Sequence, residues 1–306
     1  MLPRTFARLQ SRAVPELPDL AILADALDTG LHGRTLTGAG TPQSLVLRGT
    51  PAELAGFEGQ QLIDIARRGK FLVFSFTRDQ MIINPMLTGR MGLAAPGAKA
   101  WPQVAATWAF GPAGRAATGR SKGLPEWPGE AEWLPARESA VEMRYRDATR
   151  MGKVYLLPQG VTRAVAGWDE QGPDADDPAL TLEVWRERIA RHSGELKNLL
   201  RNQSFVAGIG NAYSDEILWA ARLAPFRKRS SLAASEVDEL YGATRDVLAW
   251  AIGELQSLVP PRLEVEQRSF LRVHRKGDEA CPRCGTRLSE VSAGGFVTTY
   301  CRGCQR

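Results

Sequence analysis

With 306 residues, 43% of them apolar and 24% charged, the chain can bury ordinary hydrophobic cores and has room for two domains and a small appendage. Its longest apolar runs, such as Phe71-Leu72-Val73-Phe74, fall far short of the ~20 residues that a bilayer requires, so no membrane crossing is expected. The net charge of +5 is carried by residues 181–306 and by the first fourteen, a tilt that suits a polyanionic partner but is also common on solvated surfaces.

Met1 to Val14 contains Arg4, Arg8 and Arg12 and no acid. That composition resembles a transit peptide, but it also fits a short leader or a start misplaced ahead of Val14, and it is set aside from the fold. Pro15-Glu16-Leu17-Pro18-Asp19 then opens a helix. Prolines suit a first turn, Asp19 lies where the helix dipole favours an anion, and Leu20, Leu23, Ala24 and Leu27 recur at helical spacing. Gly30 and Gly33 are expected to end it.

From Thr35 to Leu157 short β-rich runs alternate with turn residues. Leu45 to Leu47, Leu62 to Ile65, Phe71 to Phe76, Met81 to Ile83 and Val154 to Leu157 are predicted strands of a sandwich or barrel. An insertion rich in Gly, Ala and Pro spans Gly111 to Arg137, and its Trp127 and Trp133 either bury against the sandwich or stack on bases. Gly167 to Pro178 is an acidic linker. Four helices are predicted beyond it, over Thr181–Arg191, Gly194–Arg201, Ala212–Arg222 and Ala234–Leu258, with Pro260-Pro261 closing the last. Between the second and third, Gly208 and Gly210 allow a tight turn whose amides can meet an anion.

All four cysteines lie near the C-terminus, as Cys281-x2-Cys284 and Cys301-x2-Cys304. Two such knuckles on a β-hairpin offer four thiolates to one tetrahedral ion, which points to a single structural Zn2+. Disulfides and a redox pair are the alternatives. Free thiols and the lack of a signal peptide with an apolar core fit a cytoplasmic protein.

Pro15 is the most unusual chemical possibility. At a chain terminus proline carries a secondary amine that condenses with an aldehyde carbon to an iminium ion; inside a chain that nitrogen is an inert amide. Glu16 is a carboxylate placed to carry protons beside it.

PELPD at 15–19, RRGKF at 67–71, GELK at 194–197, GIGNAYSDEIL at 208–218 and the terminal cysteine pairs, in that order, resemble the formamidopyrimidine-DNA glycosylase and endonuclease VIII family over residues 15–306. The resemblance implies an α+β chain: a β-sandwich with a leading helix (15–166), a helix-two-turn-helix domain (167–262) and a zinc-finger hairpin (263–306). It implies a monomeric base-excision repair enzyme that works in the cleft between the halves on double-stranded DNA carrying oxidised or abasic sites. Pro15 matches the amine that attacks C1′, Glu16 the carboxylate that handles protons at the sugar, and Lys70 the lysine on a phosphate by the lesion. Without the family, Lys70 would be a solvated strand end. Lys197 matches a lysine facing the active site, and Asn211 with the 208–211 amides matches a phosphate grip that fixes register. Tyr213 and Glu216 are as compatible with a structural role as with substrate contact.

Several positions depart from the family. Asn84 stands where a phosphate-binding histidine is usual and Leu87 where a methionine wedge is usual. Asp147-Ala148-Thr149-Arg150-Met151-Gly152 keeps one of two arginines, Arg150, and offers Met151 as an apolar wedge in place of phenylalanine. Phe296 replaces the zinc-finger arginine, for which Arg287 or Arg302 is the expected substitute. The short run Val259 to Arg268 leaves little room for a lesion-capping loop, which favours a broad lesion range. A catalytically silent, zinc-containing binder of damaged or distorted DNA is the competing reading, because residues precede Pro15 and these contacts are altered. An RNA-binding module is a third, but it leaves PELPD and Lys70 without a purpose.

Overall fold

The computed structural model describes residues 14–306 apart from 115–126, 128–130, 132 and 259–261. The leader short of Val14, most of the insertion and the Pro260-Pro261 stop lie outside the described residues.

Two sheets form the N-terminal half. One is five-stranded, in the order β2 (Leu47–Arg48), β9 (Lys153–Leu157), β5 (Gln80–Asn84), β4 (Phe71–Phe76) and β3 (Leu62–Arg68), antiparallel except where β2 meets β9. The other runs β1 (Arg34–Gly40), β7 (Val104–Ala113), β8 (Val141–Arg146) and β6 (Arg90–Ala94), antiparallel throughout. Leu72, Phe74, Met81 and Leu156 from the first pack into one core with Met91, Trp108, Phe110, Met143 and Tyr145 from the second. The predicted runs at 62, 71, 81 and 154 all fall within strands. Leu45 to Leu47 does not: Ser44–Val46 is a 3-10 turn, and only Leu47 joins a two-residue strand.

α1 (Leu17–Leu31) spans the junction. Leu20, Leu27 and Leu31 enter the sandwich core, while Leu17 belongs to the helical core. Gly30 does not end this helix. It lies within it, where an added Cβ would stand 2.5 Å from Leu93 Cδ1, so glycine lets the helix close onto the sheet. Trp127 and Trp133 are buried in the sandwich core, edge to face with centroids 5.3 Å apart, and Trp127 Nε1 donates to Asp25 Oδ2 at 2.6 Å.

The helical half contains α3 (Leu182–Ala190), α4 (Leu196–Arg201), α5 (Asn211–Ala220) and α6 (Ala234–Leu258), with the short α2 (Pro51–Ala55) back in the sandwich region. Trp185, Phe205, Tyr213, Leu240 and Leu248 are its centre. Leu255, near the end of α6, returns to the sandwich core, so α1 and α6 both fasten the two halves. A hairpin of β10 (Ser289–Ala293) and β11 (Phe296–Tyr300) follows, packed through Leu288, Cys281 and Cys301 on Trp219 of α5.

Candidate active site

The start of α1 is held from both sides. Leu17 N donates to Gly208 O at 3.0 Å, and the side chain of Leu17 fills the space where a Cβ on Gly208, at φ +99°, would come within 2.7 Å. The buried Glu16 carboxylate accepts from the amides of Gly210 (2.6 Å), Ala212 (2.8 Å) and Tyr213 (3.3 Å), an anion seated at the N-terminus of α5. The glycine turn is therefore a socket for the chain's own carboxylate. Two of the 208–211 amides expected to meet a phosphate are otherwise engaged: Gly208 N donates to Gln203 Oε1, and Gly210 N is taken by Glu16.

Pro15 is itself buried, between a small cavity of about 50 Å³ and a larger cleft of about 410 Å³. Lys70, Asn84, Met86, Leu87, Gln171 and Asn202 are among the residues lining the cleft, so both halves of the chain contribute walls. Asp19 and Gln267 line the smaller cavity.

Asp19 accepts from Glu16 N at 2.8 Å and from Arg268 Nη2 at 2.6 Å. Burial pushes its carboxyl up to about 6, against the opposing pull of Arg268. Arg268 also donates to Glu266 and, at 3.4 Å, to Val14 O, and it lies 5.0 Å over the Tyr213 ring. Burial works against its charge, yet Asp19 and the other acids around it raise its pKa overall. Sequence reasoning placed Asp19 only as a helix-cap anion and missed Arg268 as its partner.

Lys70 projects from a turn that the acidic segment after Gly167 holds in place. Arg67 pairs with Asp174 at 3.0 Å and with Asp176 at 2.6 Å, and Gly69 N, at φ +56°, donates to Asp174 at 2.6 Å. The expected linker is thus a clamp on the β3–β4 turn. Burial lowers the Lys70 pKa; Glu16 opposes this, and Arg201 and Arg268 add to it. Among the described residues nothing hydrogen-bonds its ammonium.

Two loops stand together at the cleft rim. Asp147, fully buried, accepts from Thr88 Oγ1, from Thr149 N at 3.1 Å and from Gly152 N at 2.7 Å. This pins the 147–152 loop to the 84–89 loop and presents Arg150 and the 43% exposed Met151 outward. Arg150 (φ +56°) and Met86 (φ +50°) both hold the left-handed conformation, strain that the surrounding bonds sustain. Asn84 Oδ1 accepts from Met86 N at 3.0 Å, so the side chain first shapes its own loop.

Lys197 does not offer a free ammonium to the cleft. It is buried, and its Nζ donates to Asp215 Oδ1 and to Val297 O, both at 2.7 Å. Asp215 also meets His274 Nδ1 at 2.7 Å and accepts from Thr299 N at 3.1 Å. Asn211 Nδ2 donates to the same Val297 carbonyl at 2.9 Å. Lys197 and Asn211 therefore seat the hairpin on the helical half. Glu216 accepts from the amides of Arg272, Val273 and His274 and fastens the strap leading to the cysteines, while the Tyr213 hydroxyl is buried without a hydrogen-bond partner among the described residues.

Sγ atoms of Cys281, Cys284, Cys301 and Cys304 lie within 4.8 Å of one another, with 3.8 Å between Cys281 and Cys304 and 3.4 Å between Cys284 and Cys301. These are free thiols at metal-binding separation, since a tetrahedral ion with bonds of about 2.3 Å sets its ligands roughly 3.8 Å apart. Neither expected substitute for the missing arginine is poised at the cleft. Arg287, 73% exposed, pairs with Asp278 at 2.7 Å, and Arg302 Nε donates to the Tyr300 hydroxyl at 3.3 Å.

Family models for the Formamidopyrimidine-DNA glycosylase N-terminal domain and H2TH domain match residues 14–154 and 171–259. Curated relatives named formamidopyrimidine-DNA glycosylase include those of Thermomicrobium roseum (29% identical, covering 95% of this chain and 99% of the relative) and Pelotomaculum thermopropionicum (25%, covering 96% and 99%). Among solved structures, the Lactococcus lactis Fpg in complex with DNA containing an abasic site superimposes with a TM-score of 0.77 at 22% identity, covering 95% of this chain and 99% of that one.

Proposed function

The chain belongs to the formamidopyrimidine-DNA glycosylase family, and on that footing we propose that it is a bifunctional DNA glycosylase and abasic-site lyase of base-excision repair, acting through Pro15 where that residue is the N-terminus. Its substrates are oxidised bases in double-stranded DNA, of formamidopyrimidine, 8-oxoguanine or oxidised-pyrimidine type. The single observation that carries this reading is the position of Pro15, on the wall of a two-sided cleft with Lys70 and Asn84. Relatives of the same fold have been solved with abasic, Fapy-dG and oxidised-pyrimidine DNA. Residues 15–166 supply the reacting groups, 167–262 and 263–306 the grip on the duplex.

The Pro15 nitrogen attacks C1′ of a nucleotide turned out of the duplex, a step whose unstacking cost of a few kcal/mol is least for damaged pairs. The C1′–base bond breaks, the base leaves with the proton that the amine gives up, and the C1′–O4′ bond then breaks, O4′ taking a proton from the Asp19 carboxyl as the C1′ iminium forms. Loss of a C2′ proton expels the 3′ phosphate, loss of a C4′ proton expels the 5′ phosphate, and water frees the amine. Glu16 and Asp19 are the carboxylates flanking the amine. Asp19, with its pKa near 6, can hold and release a proton at neutral pH. A free α-amine titrates near ~8, so a modest lowering leaves it nucleophilic. Lys70 binds a phosphate by the lesion, and Arg150, Met151 and Leu87 occupy the vacated stack. The four cysteines fit a structural Zn2+, which shapes the hairpin and takes no part in the chemistry.

Borohydride trapping on abasic duplex DNA tests the reading with protein verified by mass to begin at Pro15. A covalent adduct is expected, and its absence removes the lyase claim. Where Val14 stays attached, the Pro15 nitrogen is an amide, and the competing reading of a non-cutting binder applies. The mass of the native N-terminus separates the two.

A further inference from the structure

Arg201 is the last residue of α4 and has no carboxylate partner and no hydrogen bond to its guanidinium among the described residues. Instead its guanidinium carbon lies 3.6 Å from the ring centroid of Phe296, the 46% exposed residue that opens β11. The two are brought into register by the seating of the hairpin, because Lys197 on the same helix and Asn211 both donate to Val297 O, one residue on. A ring face covers one side of the guanidinium and leaves its five N–H donors unused.

Arg201 shares its surroundings with Lys70, a second cation without a hydrogen-bond partner. Burial disfavours the charge of both, Arg201 adds to that effect at Lys70, and Glu16 is an acid that acts favourably on both. Glu16, however, has both oxygens turned to the amides at the start of α5. The residues that follow Arg201, Asn202 to Ser204, line the same cleft as Lys70. Lys70 lines the groove and Arg201 precedes the segment that forms another part of its wall; two such cations without a hydrogen-bonded acid ask for an anion, and a guanidinium matches phosphate geometry in particular.

Resting on the function proposed above, we propose that Arg201, with Phe296 as its platform, is a phosphate-binding residue of the cleft and closes with Lys70 on the DNA backbone beside the extruded nucleotide. The cation expected from the hairpin is thus supplied by the helical half, with the hairpin contributing the aromatic surface that aims it.

The zinc-loaded full chain is titrated with duplex carrying a tetrahydrofuran abasic analogue between about 50 and 200 mM salt. One phosphate contact contributes a slope near ~0.9 in log K against log salt, or about 3.5-fold in affinity over that fourfold range. For Arg201→Gln the slope is expected to fall by about that amount, so that parent and variant differ about 3.5-fold less at high salt than at low. A residue that only supported the fold would weaken binding at every salt without changing the slope. Phe296→Leu keeps the charge and removes its platform. It is expected to weaken binding with the slope retained, whereas Arg201→Met, which loses the charge but keeps an apolar stem on the ring, should lower the slope as Arg201→Gln does and decides the matter should that variant not fold. An unchanged slope in Arg201→Gln, or parental affinity in Phe296→Leu, overturns the proposal while leaving the glycosylase reading intact. A parent with no salt-dependent binding sinks both.

Discussion

Replacing Lys197 with methionine isolates the contact that seats the hairpin. The side chain keeps its length and loses its charge, leaving Asp215, with no measurable exposure of its side chain, facing only His274 and the Thr299 amide. Removing one partner of a buried ion pair costs about 3–5 kcal/mol, because the survivor's desolvation is no longer offset. Val297 O loses one of its two donors as well, while the Asn211 bond remains. The cost falls first on the local contact between β11 and the helical half, where Lys197, Asn211 and Asp215 meet Val297 and Thr299. Amide exchange in β11 is the direct assay, and 3–5 kcal/mol there corresponds to an acceleration of roughly 150-fold to several thousand-fold. Burial lowers the Lys197 pKa against the pull of Asp215, so protonated Lys197 is itself a partial burden on the fold, which places the expected value nearer the lower figure. Exchange of the Thr298 and Thr299 amides within threefold of the parent would refute the account of Lys197 as a clamp and return it to the cleft.

Asp19 carries a pH signature. Its folded pKa, raised from 3.8 to about 6, means that the native state holds the proton more tightly than the unfolded chain, so its contribution to stability is complete below pH 3.8 and is lost as pH rises to about 6. Relative to Asp19→Asn, the parent should lose about 3 kcal/mol across that window in denaturant unfolding, and parallel pH profiles for the two proteins would count against the assignment. Gly208→Ala forces a left-handed alanine against Leu17 and should cost about 2–4 kcal/mol by the same method, with trapping on abasic DNA reduced alongside; wild-type stability would show that the α1 junction is slack. Chelation of the metal should abolish duplex binding while the thermal transition of the sandwich stays in place, and a chelator-treated protein that holds DNA as before excludes a zinc-shaped hairpin.

What could be read from the chain divides along physical lines. The cysteine knuckles, the RRGK turn and strands β4 and β5 carry their information within a few residues, as ligand spacing, turn chemistry or a continuous apolar run. β1, with Thr-Leu-Thr-Gly-Ala-Gly, and β7, broken by Gly111 and Pro112, mix small and polar residues, and their place is decided by the sheet they join. The roles of single charges were the least visible. Lys197 meets Asp215 eighteen positions away and Val297 a hundred away, and Arg268 reaches Asp19 across 249 residues.

Glu16 shows why such distances change the chemistry and not only the packing. Read beside Pro15 alone, it is a carboxylate free to carry protons. In the folded chain its two oxygens satisfy three amides at the start of a helix nearly two hundred residues on, which fastens the segment carrying Pro15 to the helical half. Asp19, one turn further along α1, stands in the opposite environment: buried beside a cation, with a pKa close to neutrality. On the proposed mechanism two carboxylates three residues apart take different tasks, the nearer one holding Pro15 against the cleft and the further one exchanging protons there. Positioning and proton transfer make opposite demands on a carboxyl group, and a single residue at 16 could not have met both.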